Sequence, residues 1–426
     1  MARPGCVISL SILLLMPCLS ITADEVKQPK AYSLQDCISV AMRNNIDVLT
    51  AQNNVIAAKS RSASAKSEYL PQISLQNNAF VWGSESVLNQ STTGTAFSVD
   101  QNIFDGGLRE ANAQSARYGV TQNKSGQTRT LQTVTYNVSK AYYEVLRSRH
   151  LAEVAQANVT YNEGLRDQIQ ARADVGDAAK VDVLPIEAQL ASARVSLLSA
   201  QNSLRTSAIE LQKVMGVPSK SSFDVQEISD APKTEIASLD DYITAASKSR
   251  PDIMQSHAAT GAARASVRSS RIALYPRPVI SANYQRQISG GFTTSGTQLV
   301  GGIVFNIFNG GANRAAYREA QANRANAELQ EQQLSIDINS EVEEAYLSLT
   351  NARERMTASS LSLQAADRNY QAQKERYSQG LGTTLDLLNA EVQVITAQSD
   401  DVQSRYDYYI AVTQIDYVVG KQGGTL

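Results

Sequence analysis

Two kinds of apolar pattern alternate along the chain. Segments in which every second residue is apolar predict β-strands, because successive side chains of a strand point to opposite faces. Such segments contain Phe97, Val99 and Ile103 in one place and Leu299, Gly301, Ile303, Phe305 and Ile307 in another. We expect each segment to complete a β-hairpin, over residues 72–104 and 279–308, with polar turns at 84–95 and 289–296.

Long stretches with helical character follow the hairpins. Residues 106–174 and 310–378 are rich in Ala, Gln and Arg and contain no proline. At ~1.5 Å per residue, each would form a helix about 100 Å long. A shorter helix is predicted before each hairpin, over residues 33–68 and 238–274, and it ends before Pro71 or Pro276 because proline lacks an N–H group.

A return helix is predicted after each long one. Turns at Gly176 and Gly380 reverse the chain, and the return helices run to Gly216 and Gly420. Apolar positions spaced alternately by three and four residues are typical of helices that pack side by side. These positions are Leu131, Val134, Val138, Ala141 and Val145 in the first half, and Leu385, Leu388, Val392, Ile395, Ser399, Val402, Tyr406 and Tyr409 in the second.

The whole arrangement occurs twice. The motif Asn-Ile-Phe-Asp-Gly-Gly at residues 102–107 returns as Asn-Ile-Phe-Asn-Gly-Gly at residues 306–311. The predicted organisation is a signal peptide (1–23), a first repeat (24–216), a linker or equatorial segment (217–238), a second repeat (239–420) and a tail (421–426). Each repeat consists of a helix, a β-hairpin, a long helix and a return helix.

The doubled motif predicts a sharp corner between strand and helix. Glycines allow the backbone to turn where other residues would be strained, and these glycines are Gly106, Gly107, Gly310 and Gly311. Asp105 and Asn309 are expected to be the N-cap residues of the long helices. A phosphate-binding turn would need a G-x-G-x-x-G or G-K-[ST] pattern, which neither copy has.

Composition narrows the class of protein. Residues 7–19 form a short apolar run after Arg3, as in a cleaved signal peptide, and Cys37 is then the only cysteine left. The chain has 39 basic and 41 acidic residues, so its charge gives no reason to expect a nucleic-acid partner. After residue 23 the apolar runs are too short for a transmembrane helix.

The predicted strands require other copies of the chain. Four strands cannot close a membrane barrel, whereas two copies would supply eight strands and three would supply twelve. Trp82 and Phe80 lie near one hairpin tip and Tyr284 and Phe292 lie in similar places in the other hairpin, where an interfacial aromatic belt would lie. A soluble sheet with a few exposed aromatic side chains is the alternative.

No group of residues suggests catalysis. His150 and His257 lack partners at metal-ligand spacing, and the sequence contains neither a serine elbow nor an isolated carboxylate pair. We therefore expect a protein that is not an enzyme and that uses no cofactor and no metal.

At this point the sequence resembles the TolC family of outer-membrane efflux and secretion channels. The resemblance covers residues 33–420 and rests on the doubled motif, the Tyr-x-Pro junctions and the segment Arg376-Tyr377-Ser378-Gln379-Gly380-Leu381-Gly382-Thr383-Thr384-Leu385-Asp386-Leu387-Leu388-Asn389-Ala390. A weaker counterpart occupies residues 172–184.

The resemblance implies an α+β membrane protein of a Gram-negative bacterium. Three copies would form a 12-stranded β-barrel in the outer membrane, continuing into an α-helical barrel in the periplasm. This homotrimer would conduct substrates passively from an inner-membrane transporter, through a periplasmic adaptor, in a tripartite efflux pump or a type I secretion system. A periplasmic coiled-coil adaptor or scaffold is the alternative, although it would have a single helical hairpin.

The resemblance also assigns roles at the periplasmic tips, residues 172–184 and 376–390. The adaptor-docking positions would be Gly176, Gly380, Leu381, Gly382 and Thr383. Asp386 matches a position that rings the closed constriction with carboxylates, and the next such position is Asn389. Asp182 and Tyr377 match residues whose links help to hold the tips closed, but Gly382 stands where the linking Arg is expected. The alternative for Asp386 is a solvated carboxylate near a helix N-terminus.

Overall fold

The computed structural model describes residues 31–78, 94–176, 179–219, 223–228, 236–289 and 292–421. The predicted signal peptide, Phe80, Trp82 and residues 422–426 of the predicted tail lie outside these ranges.

Eight helices and four strands are present in the described ranges. The first repeat contains α1 (Leu34–Asn44), α2 (Ile46–Ser67), β1 (Gln72–Asn78), β2 (Gly94–Phe104), α3 (Leu108–Asp174), a short 3₁₀ helix (Lys180–Asp182) and α4 (Val183–Val214). The second contains α5 (Leu239–Ser249), α6 (Pro251–Ile272), β3 (Arg277–Ser289), β4 (Phe292–Val304), α7 (Ala312–Ser378) and α8 (Thr384–Val419).

The prediction of one leading helix per repeat is wrong, because each is broken in two. Asn45 has extended backbone geometry, and its side chain accepts hydrogen bonds from the backbone N–H groups of Asp47 (2.8 Å) and Val48 (3.3 Å). Such capping competes with a continuous helix. In the second repeat Arg250 is extended because Pro251 follows it, and Pro251 is the first residue of α6.

The two long helices are confirmed. α3 and α7 each contain 67 residues, which corresponds to a length of about 100 Å. Their predicted N-caps are wrong: the N-cap residues are Gly107 and Gly311, both in the left-handed region. Asp105 still contributes from two residues earlier, since its carboxylate accepts hydrogen bonds from the N–H groups of Gly107 and Arg109.

The predicted seam of the second return helix is also wrong in detail. Leu385 is 64% exposed and Val392 is exposed, whereas Leu388 and Tyr406 are buried. The buried line of α8 runs instead through Leu387, Glu391, Val394, Ala397, Asp401, Ser404, Tyr408, Ala411 and Ile415. The line is displaced because α8 packs against α3 as well as α7, so its most buried positions face the space between the two.

The four strands form one antiparallel sheet in the order β1-β2-β3-β4, with an irregularity in β2 between Asn102 and Phe104. The second hairpin turn is shorter than predicted, because β4 begins at Phe292. β4 also ends at Val304, so Phe305 and Ile307 lie beyond the strand rather than in it.

The register of the sheet places apolar side chains mainly on one face, although Arg286 lies opposite Phe97 on that face and Val300 lies on the other. Ile73 lies opposite Val99, which lies opposite Tyr284, and Leu75 lies opposite Phe97. Residues opposite each other share a face. The other face carries Gln72, Ser74, Ser98, Asp100, Asn283, Gln285 and Gln298. Both faces are largely exposed in a single chain; Ile73 is 69% exposed and Leu299 is 70% exposed.

The helices bury their core in separate clusters. One cluster surrounds Tyr142, Tyr143 and Leu146 of α3, and a second surrounds Ile338 and Leu349 of α7 with Ile415 of α8. A third lies at the helical tips. Among the described residues, every helix is too polar or too short to cross a membrane.

Candidate functional site at the corners and helical tips

The strand-to-helix corners depend on glycine. Gly106, Gly107, Gly310 and Gly311 have φ angles of 75°, 89°, 67° and 86°. A Cβ atom on Gly106 would lie 3.0 Å from Cβ of Arg277, while Cβ atoms on Gly310 and Gly311 would meet nothing within 4 Å. The glycines of the second corner are therefore required by their backbone conformation rather than by lack of space.

Arg109 secures the first corner, and sequence reasoning missed it. Its guanidinium donates to the carbonyl oxygens of Glu68 (3.0 Å), Asn102 (2.7 Å) and Ile103 (3.0 Å), so one buried side chain joins the end of α2 to the end of β2. Pro71 follows α2 and lies directly before β1, and Pro276 has the same position between α6 and β3.

Replacing Gly310 and Gly311 by valine should reduce the yield of assembled protein. Each substitution forces an L-residue into the left-handed region, which costs roughly 1–2 kcal/mol per residue, and the branched side chain of valine adds to this. The yield of oligomer in detergent, measured by size-exclusion chromatography, is the readout. Gly164→Ala in α3 is the matched control and should leave the yield unchanged, since its new Cβ meets nothing. A normal yield from the double variant would contradict the corner argument.

At the other end of the molecule the chain reverses at two tips. Gly176 follows α3 with a φ of 83°, and Gly380 follows α7 with a φ of 73°. Leu381 in the second tip is 67% exposed, and Val175 and Val181 in the first tip are also largely exposed. A Cβ atom on Gly382 would approach the backbone nitrogen of Tyr377 to 3.3 Å, so the turn is tight at this position.

The two tips are packed against each other by a small apolar cluster. Its buried members come from three helices and are Leu165, Ile169, Ala173, Val183, Ile186, Leu387 and Leu388. Tyr377 packs on this cluster, and the guanidinium carbon of Arg172 lies 6.0 Å from the centroid of its ring. Asp182 is exposed at the end of the 3₁₀ helix. No hydrogen bond joins Asp182 to Tyr377 in the described part of the chain.

Asp386 belongs to a capping box at the start of α8. Its carboxylate accepts hydrogen bonds from the hydroxyl (2.7 Å) and the N–H (3.1 Å) of Thr383, and the Thr383 hydroxyl accepts one from the N–H of Asp386. These hydrogen bonds from Thr383 lower the pKa of Asp386, so the side chain is charged at neutral pH. Asn389 is exposed one turn further along α8.

A buried polar cluster above the tips was not predicted. Asn162 of α3 is fully buried and donates to the carboxylate of Glu391 in α8 at 2.8 Å. Burial raises the pKa of Glu391 to about 7, although the hydrogen bond from Asn162 acts in the opposite direction. The available signal was the pair Asn158 and Asn162, four residues apart and therefore on one helix face.

Comparison with known proteins shows the family to which this chain belongs. The profile of the family described as "Outer membrane efflux protein" matches residues 37–217 and 242–421. The outer membrane efflux protein BepC of Brucella suis is 26% identical over 388 residues, covering 89% of this chain and 83% of BepC. The outer membrane protein TolC of Escherichia coli is 23% identical over 414 residues, covering 92% of this chain and 83% of TolC.

Solved structures agree in fold. The CmeC outer membrane channel of Campylobacter jejuni superposes with a TM-score of 0.80 at 16% identity, covering 98% of this chain and 96% of CmeC. CusC superposes with a TM-score of 0.79 at 17% identity, covering 95% of this chain and 96% of CusC. With both halves of the chain matched by the family profile, the protein belongs to the outer membrane efflux protein family, the family of the TolC-like channels.

Proposed function

We propose that three copies of this outer-membrane efflux protein form one conduit, which carries substrates passively from an inner-membrane transporter to the exterior. The main support for this proposal is the four-stranded sheet, which has one mainly apolar and one mainly polar face. One chain leaves β1 and β4 as open edges in the described ranges, with an apolar face and a polar face both exposed. Three chains joined edge to edge would give a closed barrel of 12 strands, with the apolar face toward lipid and the polar face lining a water-filled bore.

The long helices support the same assembly. Leu329, Ile336, Leu347 and Leu361 of α7 are all exposed. They follow one another at intervals of two, three and four helical turns, so they form a single apolar stripe along α7. Exposed Val195 and Leu198 of α4 offer a complementary surface. We expect the stripe to pack against α4 of the next copy, which would close the helices into a tunnel.

The exposed tips are the proposed docking surface for the periplasmic adaptor. Gly176, Gly380, Leu381, Gly382 and Thr383 lie in or next to the two turns. Apolar side chains at a solvent-exposed turn fit a protein partner better than open water. In the trimer, Asp386 and Asn389 would line the constriction, and Asp182 and Tyr377 would contribute to holding it closed.

Native mass spectrometry in detergent, followed by planar-bilayer recording, tests this proposal. The expected result is a trimer that forms a conducting pore without any inner-membrane component. A matched variant, Ile303→Asp, should reduce insertion into lipid, because a charge on the lipid face of a barrel is costly, by up to about 2–4 kcal/mol for a basic residue at the midplane and by less for Asp. Gln298→Asp on the opposite face should be tolerated. A folded monomer, or a trimer that does not conduct, would contradict the conduit.

A further inference from the structure

The buried cluster above the tips has an incomplete set of hydrogen bonds. Besides its bond to Oε1 of Glu391, Nδ2 of Asn162 donates to the backbone oxygen of Asn158 (2.9 Å) and to its Oδ1 (2.7 Å). Oε2 of Glu391 and Oδ1 of Asn162 are both buried, and neither has a hydrogen-bond partner. Glu391 is only 4% exposed. Two unpaired buried oxygens at the contact between α3 and α8 are a substantial cost if the carboxyl group is ionised.

A single proton shared between these two oxygens would satisfy both of them. A proton on Oε2 of Glu391 turns that atom into a donor, and Oδ1 of Asn162 is an acceptor on the amide already bonded to the same carboxyl group. A carboxylic acid and a primary amide can form two such hydrogen bonds with each other. Exchanging the oxygen and nitrogen of the Asn162 amide gives a worse arrangement, since Oδ1 would then face three acceptors.

The surroundings favour the neutral acid. Tyr161 on α3 and Tyr370 on α7 are the titratable groups that sense the charge of Glu391, and burial raises the pKa of both phenols. The nearby cations have other contacts: Lys374 lies over the ring of Tyr370, and Arg194 of α4 pairs with Glu163. In the described part of the chain no cation contacts Glu391, so nothing balances a negative charge there.

We propose that Glu391 holds a proton and forms a two-bond acid–amide pair with Asn162 that fastens α8 to α3 above the tip, and that loss of this proton loosens the attachment. The pair lies between the tip cluster and the middle of the helices, so α8 cannot separate from α3 beyond the tip cluster without breaking it. Its consequence for opening of the tip rests on the proposed function, but the acid–amide pair itself does not.

The pH dependence has a defined sign. The folded protein binds this proton more tightly than an unfolded chain, in which a glutamic acid has a pKa of 4.5. The stabilisation is therefore fully present below about pH 4.5, declines as the pH rises, and is lost above the folded-state pKa of about 7.

Infrared difference spectroscopy of the wild-type protein in detergent tests the protonation directly. We expect a protonated-carboxyl band that persists at pH 6 and disappears with a midpoint near pH 7. Absence of a band that titrates in this range would overturn the proposal. So would a band that disappears at constant pH on addition of sodium or calcium ions, because the oxygens would then form a cation site.

Variants connect the proton to the attachment of α8. Glu391→Gln keeps a neutral amide in place of the acid. Its thermal unfolding temperature should therefore stay constant when the pH is raised from 5 to 8, whereas that of the wild type should decrease. The control Asp400→Asn removes an exposed carboxylate from the same helix and should retain the wild-type pH dependence. Equal pH dependence in wild type and Glu391→Gln would contradict the proposal.

Conductance measurements test whether the acid–amide pair affects opening of the tip. Wild-type pores should open more often at pH 8 than at pH 6, and Glu391→Gln should remove this difference. If the infrared band titrates as expected but the protein does not conduct, the acid–amide pair stands and the conduit fails. If conductance is normal and no band titrates, the acid–amide pair fails and the conduit stands.

Discussion

Replacing Arg250 by methionine should lower the free energy of unfolding by about 3 kcal/mol, the lower end of the range for removing one partner of a buried ion pair. The Arg250 side chain is buried and donates to Asp252 at 2.6 Å, to Glu341 at 2.6 Å and to the carbonyl oxygen of Val418 at 3.3 Å. It thus joins the break between α5 and α6 to α7 and to the end of α8. Methionine keeps most of the volume but none of the five donors.

Two features keep this cost from being larger. Glu341 is half exposed and can be hydrated once it is free, and Arg129 remains 3.6 Å from Asp252. Burial alone would raise the pKa of Asp252, but the hydrogen bonds and charge of Arg250 lower it overall. The contribution of this carboxylate to stability is therefore present at neutral pH and lost as the pH falls through its lowered pKa. In Arg250→Met the acid sensitivity should decrease together with the stability.

Denaturant titration followed by circular dichroism measures both effects. Arg264→Met is the matched control: Arg264 is exposed and pairs with Glu328 at 3.1 Å, and exposed pairs contribute about 0–1 kcal/mol. Equal losses in the two variants would show that the buried network has no special role.

The architecture was accessible from sequence where local signals were strong and duplicated. Proline-free stretches defined the long helices to within two residues, and the alternation of Leu299 with Gln298 assigned those side chains to the correct faces of β4. The same reasoning missed the break at Asn45. A capping asparagine competes with the helix only when the following segment packs at a different angle, and a tertiary contact decides this: Nδ2 of Asn45 donates to the carbonyl oxygen of Val214 in the return helix.

The buried polar groups were beyond the reach of periodicity. Leu385 and Glu391 occupy α8 in a pattern that makes the leucine look buried and the glutamate exposed, yet the reverse holds. Which face of α8 is covered depends on the position of α3, a contact between the two repeats. Arg109 and Arg250 were hidden for the same reason, since their partners lie in other elements.

The second large effect is expected at the tip. Asp386→Asn should reduce the preference of the closed or narrowed pore for cations on the order of tenfold. This is the lower end of the range by which a cleft lined with charges of one sign raises the local concentration of counter-ions. This rests on the proposed trimer, in which three Asp386 carboxylates would surround one axis. Thr383 lowers the pKa of Asp386 in each chain, repulsion among the three carboxylates of the ring would oppose this shift, and the ring should lose charge as the pH is lowered. Cation preference should therefore fall when the pH is lowered, in the wild type but not in Asp386→Asn.

The capping role of Asp386 must be separated from its charge. Asp241 provides the control, because it accepts a hydrogen bond from the Ser238 hydroxyl at 2.7 Å at the N-terminus of α5, far along the chain from the tip. Asp241→Asn removes the same charge from another helix N-terminus and should leave selectivity unchanged. Asn389→Asp makes the opposite change, adding a second ring one helical turn away without touching a cap, and should increase both cation preference and block by divalent cations. Planar-bilayer reversal potentials in a salt gradient measure all three variants. If Asp386→Asn and Asn389→Asp both left selectivity at the wild-type value, Asp386 would be a capping residue and no more.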